Sequence, residues 1–186
     1  RKLAIASAAA MVLLWGGWLF WGGWRTSWDR AAAAMFLDVG QGDALLVRTG
    51  SGKHLMIDAG GTVYYRKPED QWRERTDPFG IGEDLLVPLL RLRGVRTLEA
   101  LVLTHMDADH IVGAEAVLDE VRVKRLIING TFRRDERVER LLRAALDKGI
   151  PVYAARAGLE WKIDDSARLL VLHPPDGPEA GRPLPA

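Results

Sequence analysis

The chain has 186 residues, which is enough for one domain with a sizeable hydrophobic core. Its 26 lysines and arginines and 25 aspartates and glutamates give a net charge of +1, so overall charge gives no reason to expect a polyanionic partner. Cysteine is absent, which excludes disulfide frameworks and thiolate metal sites and leaves histidine and carboxylates as the ligands for any metal.

A long uncharged run lies near the start of the chain. Residues 3–24, LAIASAAAMVLLWGGWLFWGGW, would span about 33 Å as a helix, close to the roughly 30 Å hydrocarbon core of a bilayer. Five of the seven tryptophans fall at or just after its C-terminal half, as in an interfacial aromatic belt. We therefore predict a transmembrane helix and short linker over residues 1–30. A secretory signal peptide, cleaved near RAAAAM, and a buried soluble helix remain alternatives.

Three short apolar segments follow. AMFLDVG (34–40), ALLVRTG (44–50) and KHLMIDAG (53–60) are predicted strands, and Ser51-Gly52 joins the last two as a hairpin. The polar stretch from 61 to 82 shows no clear period, so we expect a long surface excursion there. These segments predict a β-meander.

Helical and strand patterns then alternate. Pro88 places the start of the first predicted helix at or just before itself, and Gly94 ends it. Strands are predicted over 99–105, 123–130 and 150–156, with helices over 113–121 and 135–149 between them and a final hairpin around Asp165-Ser166. This order predicts a sheet with helices packed on one outer face. Residues 176–186, rich in Pro and Gly, are predicted as a tail or a cut end.

The segment LTHMDADHIVG (103–113) concentrates chemistry in six positions, with His105, Asp107, Asp109 and His110 at the end of an apolar strand. Its context predicts a strand-to-helix turn, where loop ligands are held on rigid supports. Imidazole nitrogen and carboxylate oxygen both suit divalent cations, and a bound cation would relieve the repulsion between the two carboxylates. The alternative is a polar loop in which Asp109 caps the next helix and the histidines are solvated.

These residues resemble the metallo-β-lactamase superfamily, whose signature is H-x-[HD]-x-D-H. The chain is similar in particular to the C-terminal domain of the ComEC family of DNA-uptake competence proteins, through FLDVGQGDALLV (36–47), GKHLMIDAG (52–60) and the block from Gly82 to Gly113. The resemblance implies an α+β fold, the αββα metallo-β-lactamase-like sandwich, of which residues 31–175 would form the N-terminal half to two-thirds. The first residue is Arg and not Met, so we expect a longer parent polypeptide.

The resemblance also implies a two-metal site. His105 and Asp107 would bind the first divalent ion and Asp109 and His110 the second, with Asp109 and His110 carrying the catalytic roles. Asp58 would support these ligands from behind. Most superfamily members have His where this chain has Asp107, which makes Mn²⁺ an alternative to Zn²⁺. The remaining ligands, an Asp in a GD strand end and a His in an HHGS-like turn, are expected beyond residue 186.

Several other residues are candidates for roles near the same site. Asp38 and Asp43 lie in the DVGQGD segment, where fixing the Gly-rich turn is the expected role. His54 is expected to be structural. His173 is an alternative ligand, although the HPP segment that contains it is not a ligand in the resembling family. Departures from the family pattern are Met106 after the first His and VGA after the second.

The implied function is two-metal hydrolysis of DNA, with one strand degraded as the other enters the cell. The implied setting is the bacterial cell membrane, with the domain extracytoplasmic and joined to the channel-forming region of the same polypeptide. Arginines between 133 and 143 alternate with acids like a solvated helix face, so no nucleic-acid-binding residue is assigned. The alternatives are a hydrolase of the same fold that acts on another ester or phosphodiester, and a non-catalytic module of the channel.

Overall fold

A computed structural model describes residues 10–18, 31–61, 79–130 and 135–174. The chain divides into two compact units, Arg1–Ala31 and Ala32–Ala186. In the first unit, helix α1 is described over residues 10–18, and its large apolar side chains are exposed. Within the described ranges, no helix has the length and apolar character that a membrane crossing requires. The rest of the run over 3–24 lies outside these ranges, so the transmembrane helix stays a prediction.

A six-stranded mixed sheet forms the centre of the second unit. The first three strands pair antiparallel as a meander, as predicted, and the next three add in parallel through crossovers. In spatial order, the strands are β1 (Ala33–Phe36), β2 (Leu45–Arg48), β3 (His54–Ile57), β5 (Ala100–Leu103), β7 (Leu126–Ile128) and β8 (Val152–Ala154). Two minor strands, β4 (Thr97–Leu98) and β6 (Arg122–Val123), pair in parallel beside it.

The helices of this unit follow the predicted order, with one addition. They are α2 (Val87–Leu92), α3 (Ala108–Ile111), α4 (Ala114–Glu120) and α5 (Glu136–Asp147). Helix α2 starts at Val87, directly before Pro88, as predicted, and a π-helical stretch that was not predicted, Ile81–Leu86, precedes α2 and continues into it. The Val87 N–H donates to the Gly82 carbonyl five residues back, and Pro88 then sits in the first turn of α2, where its missing N–H does little harm.

The two faces of the sheet pack against different layers. Along β5, Leu101 and Leu103 belong to the cluster that includes the helices, whereas Ala100 and Val102 belong to a second cluster on the other face. That second cluster is completed by a two-stranded hairpin, β9 (Glu160–Lys162) and β10 (Arg168–Leu170). The predicted layer of helices on one face is therefore confirmed. In the residues described, the hairpin is the only covering seen on the other face, so a second outer helix layer of a full sandwich is not among them.

The parallel strands determine where functional side chains gather. Strands β3, β5, β7 and β8 run in the same direction, so their C-terminal ends meet at one edge of the sheet. Asp58 follows β3 and His105 lies just after β5. In open sheets of this kind, ligands bind beyond the carboxyl ends of the strands.

Candidate metal centre

Three of the predicted ligands converge where β5 ends and α3 begins. His105, Asp109 and His110 each offer one ligand atom, and these atoms lie within 4.8 Å of one another. The two imidazole rings are 3.8 Å apart between centroids and tilted by 50°. His110 is buried, while the side chain of Asp109 is 32% exposed to solvent. The turn thus brings two imidazole nitrogens and one carboxylate oxygen close together.

Asp107 lies beside this group without joining it. Its Oδ2 is 3.8 Å from His105 Nε2, and its side chain is 79% exposed. Asp107 is the N-cap residue of α3, in extended conformation and with no hydrogen bond from its side chain to the helix. The alternative in which Asp109 caps a helix is wrong, since Asp109 lies in the first turn of α3 and Gly113 is the N-cap residue of α4.

Asp58 is buried directly behind the two histidines. Its backbone has a left-handed φ of +55°, and its N–H donates to the Val102 carbonyl at 2.8 Å. Its carboxylate accepts from the Thr104 N–H at 2.8 Å and the Thr104 hydroxyl at 2.6 Å, and it lies 3.0 Å from His110 Nδ1. Asp58 is 3% exposed and its oxygens receive three contacts, so it supports the turn; the role behind metal ligands that the resemblance implies for it stays a prediction.

Thr104 links the second histidine to the same carboxylate, and sequence reasoning did not single it out. Its hydroxyl proton goes to Asp58, so its oxygen is free to accept from His105 Nδ1, 3.0 Å away. The network therefore assigns a proton to Nδ1 of both histidines and leaves both Nε2 lone pairs for a metal. The available signal was the single hydroxyl between the apolar strand and His105.

Two glycine-containing loops hold the turn from the other side. Gly42, with φ of +76°, lies against the backbone of Asp109, and a Cβ there would overlap the Asp109 carbonyl oxygen. In the same loop, Asp38 Oδ1 accepts from the Gly40 N–H at 3.2 Å, which confirms the turn-fixing role expected for it. Asp43 contributes through its backbone carbonyl, which accepts from the Gly60 N–H at 2.8 Å.

The remaining histidines lie outside this group. His54 begins β3, at the edge of the sheet away from the site, where burial and then the charge of Arg48 lower its pKa. His173 is exposed after the final hairpin and is not one of the grouped ligands. At the same far edge as His54, buried Glu99 is held by Lys53 and Lys124, whose charges lower its pKa against the opposing effect of burial. His54 and Glu99 therefore have structural roles, while the alternative of His173 as a ligand has no support among the described contacts.

The donor set fits a divalent ion. Imidazole nitrogen and carboxylate oxygen are donors that Zn²⁺ and Mn²⁺ both accept, and the hydrogen-bonded support behind the histidines is typical of metal-binding sites. Three grouped donors, or four with Asp107, can hold one ion with open positions. Two ions require more donors than the described residues bring together.

Comparisons with known proteins show the family to which the chain belongs. The profile of the metallo-beta-lactamase superfamily matches residues 37–181. ComE operon protein 3 of Bacillus subtilis (strain 168) is 38% identical over 130 residues, which is 69% of this chain and 16% of that protein. Competence protein ComA of Neisseria gonorrhoeae is 37% identical over 89 residues, or 48% of this chain and 10% of that protein. The chain therefore spans less than a fifth of the length of either relative.

One solved structure is also similar, at a low level. A structure described as a new diphosphatase from the PhnP family aligns with 64% of this chain and 39% of its own. The identity is 18% and the TM-score 0.32, so no argument is based on it.

Proposed function

This chain belongs to the metallo-β-lactamase superfamily and is related to the ComEC competence proteins, and from that premise we propose that it is a metal-dependent hydrolase domain that cleaves DNA during uptake. The observation that carries the proposal is the convergence of His105, Asp109 and His110 at the end of β5, with Asp58 buried behind them. The convergence supports metal-dependent chemistry, and the names of the two relatives support the link to competence.

The proposed ligands follow from the donor atoms. His105 and Asp107 would hold one divalent ion, and Asp109 and His110 a second, with Zn²⁺ and Mn²⁺ both compatible with the donors. Further donors would come from parts of the polypeptide outside the described residues. Such ions acidify water and stabilise the charge that develops on phosphoryl oxygens.

The chain's own residues would prepare this chemistry in three ways. Asp58 keeps a proton on Nδ1 of His110 and, through Thr104, on Nδ1 of His105, so that both Nε2 atoms face the reacting centre. Asp109, with Oδ2 3.8 Å from His110 Nε2 and its side chain partly exposed, would accept a proton from the attacking water. The glycine contacts behind the turn hold these groups in register.

The substrate is tested with the full-length protein, linear single- and double-stranded DNA and a small carboxylic ester, each with added Mn²⁺ or Zn²⁺. We expect metal-dependent DNA cleavage that Asp109→Asn abolishes and that Asp119→Asn, a surface change on α4, leaves intact. Turnover of the ester without DNA cleavage would replace the nuclease by another hydrolase of the same fold. Loss of both activities with no metal binding would favour a non-catalytic channel module.

The cellular location is a separate part of the proposal. We propose that residues 3–24 anchor the domain in the bacterial cell membrane, on its outer side and next to the channel-forming region of the same polypeptide. The support is the uncharged, tryptophan-rich sequence of this run. Membrane fractions washed with alkaline carbonate should retain the protein, and release into the wash would contradict the anchor.

A further inference from the structure

Arg156 shares the sheet edge with the candidate metal centre. Leu103, Ile128 and Ala154 are register partners at the ends of β5, β7 and β8, so residues two positions later continue at the same edge. These are His105, two residues after β5, and Arg156, two residues after β8. Because neighbouring strands are about 4.8 Å apart, the end of β8 lies about 10 Å from the end of β5.

The guanidinium of Arg156 is directed back towards the centre by backbone contacts. Its Nη1 donates to the Asn129 carbonyl at 2.6 Å and to the Ala155 carbonyl at 2.7 Å. Asn129 follows β7, the strand between β8 and β5, so the side chain reaches from β8 in the direction of His105. Gly130 leaves the room for it, since a Cβ there would lie 2.6 Å from Nη1 and 2.9 Å from Nη2.

Arg156 is a half-buried cation without an acidic partner in the described part of the chain. Its hydrogen bonds there use Nη1 alone, and both acceptors are neutral carbonyls. Other arginines of this unit pair with glutamates, as Arg91 does with Glu120 and Arg168 with Glu160. Partial burial of an unpaired charge is unfavourable, and a guanidinium with free Nη2 and Nε donors is suited to bind an oxyanion in a forked geometry.

We propose that Arg156 binds a phosphate oxygen of the substrate and so positions a phosphodiester against the centre formed by His105, Asp109 and His110. The inference rests on the proposed phosphodiesterase function. It makes Arg156 a specificity residue, because a neutral ester offers no charge for the guanidinium to bind.

Binding is tested apart from catalysis. A dinucleotide, too short to bridge distant sites, is titrated by calorimetry into the full-length protein in EDTA. We expect Arg156→Gln to weaken binding by about tenfold, the lower end for a hydrogen bond to a charged group. The affinity of Arg156→Lys for the dinucleotide should lie between those of wild type and Arg156→Gln. Arg168→Gln removes the same charge from the exposed face of β10 and should leave the affinity unchanged.

Equal dinucleotide binding by wild type and Arg156→Gln, or none by wild type, would overturn the inference even if the enzyme cleaves DNA. If wild type binds the dinucleotide and Arg156→Gln does not, the anion site stands even when no DNA is cleaved, and only the nuclease proposal fails. Where cleavage occurs, Arg156→Gln should raise KM for DNA and leave kcat/KM for a neutral ester unchanged. An equal loss on both substrates, with a lower Tm, would mean that Arg156 only braces the loops.

Discussion

Replacing Gly42 by alanine tests whether the loop between β1 and β2 holds the metal ligands in place. An added Cβ would overlap the Asp109 carbonyl oxygen and lie 2.6 Å from its carbonyl carbon. The contact with the oxygen is the limiting one, and since favourable contacts are about 3.5 Å long, the Asp109 peptide must retreat by more than about 1 Å. The movement is transmitted directly to His110, the next residue in the same helical turn.

Gly40 provides the matched control, because it lies in the same loop with nearly the same φ. The φ values are +76° at Gly42 and +77° at Gly40, and an alanine Cβ at Gly40 would meet nothing within 4 Å. Both variants therefore incur the left-handed strain of about 1–2 kcal/mol. Only Gly42→Ala adds overpacking, typically about 1–3 kcal/mol more.

The assay combines urea unfolding with calorimetric titration of Mn²⁺ or Zn²⁺. Gly40→Ala should lower the free energy of unfolding by about 1–2 kcal/mol and leave metal affinity unchanged, whereas Gly42→Ala should lose about 2–5 kcal/mol. A ligand displaced by about 1 Å should also weaken function by up to about 100-fold. Equal losses in the two variants, or wild-type metal affinity in Gly42→Ala, would refute the role given to the loop.

Three further substitutions test the hydrogen bonds behind the two histidines and the ion pairs of Glu99 at the opposite edge of the sheet. Asp58→Asn should weaken metal binding about 10–100-fold, measured by calorimetry, because its amide donates to Nδ1 of His110 and moves the proton to Nε2. Thr104→Val should weaken it about tenfold by freeing His105, while Thr104→Ser retains it. Glu99→Gln should lower the free energy of unfolding by about 1–2 kcal/mol at pH 7, measured in urea. The lowered pKa of Glu99 means that this difference closes as pH falls below its ordinary 4.5 and through the folded-state pKa.

Each of these predictions has an outcome that contradicts it. Unchanged metal affinity in Asp58→Asn would remove the tautomer argument. If Thr104→Ser and Thr104→Val weaken metal binding equally, the packing of the methyl group and not the hydroxyl is responsible. A stability difference for Glu99→Gln that stays constant as pH falls further and further below 4.5 would show that the carboxylate's charge is not its source.

The strand-to-helix turn was predictable because everything that defines it is local. The apolar run, the two histidines and the helical pattern after Gly113 lie within a few residues, and their periodicity and chemistry agree. Thr104 was missed because a hydroxyl after a strand is common and its partner lies 46 positions away. Only the pairing of β3 with β5 makes that contact visible.

The π-helical stretch before Pro88 was not predicted for a different reason. Sequence rules treat proline as a helix boundary because its ring and missing N–H disrupt the i to i−4 pattern. Here a π-turn comes first, so the chain stays helical from Ile81 onwards and the proline falls within the first turn of α2. Local helix propensity does not predict such a π-helical stretch, since π-turns are rare and depend on packing. Arg156 escaped notice for a similar reason, because only the sheet order brings it to the edge that carries His105.

The buried carboxylate of Asp58 also determines whether residues 103–113 can bind a metal outside the folded domain. Its hydrogen bonds to Thr104 and His110 join residues 46 and 52 positions apart, and its backbone is fixed by a bond to Val102 on the neighbouring strand. A peptide copied from residues 103–113 would contain both histidines but neither tautomer constraint. The isolated segment should therefore bind metal weakly, and high metal affinity should appear only when the sheet is folded. Conversely, a metal that binds only the folded state should raise the stability of the whole domain by mass action.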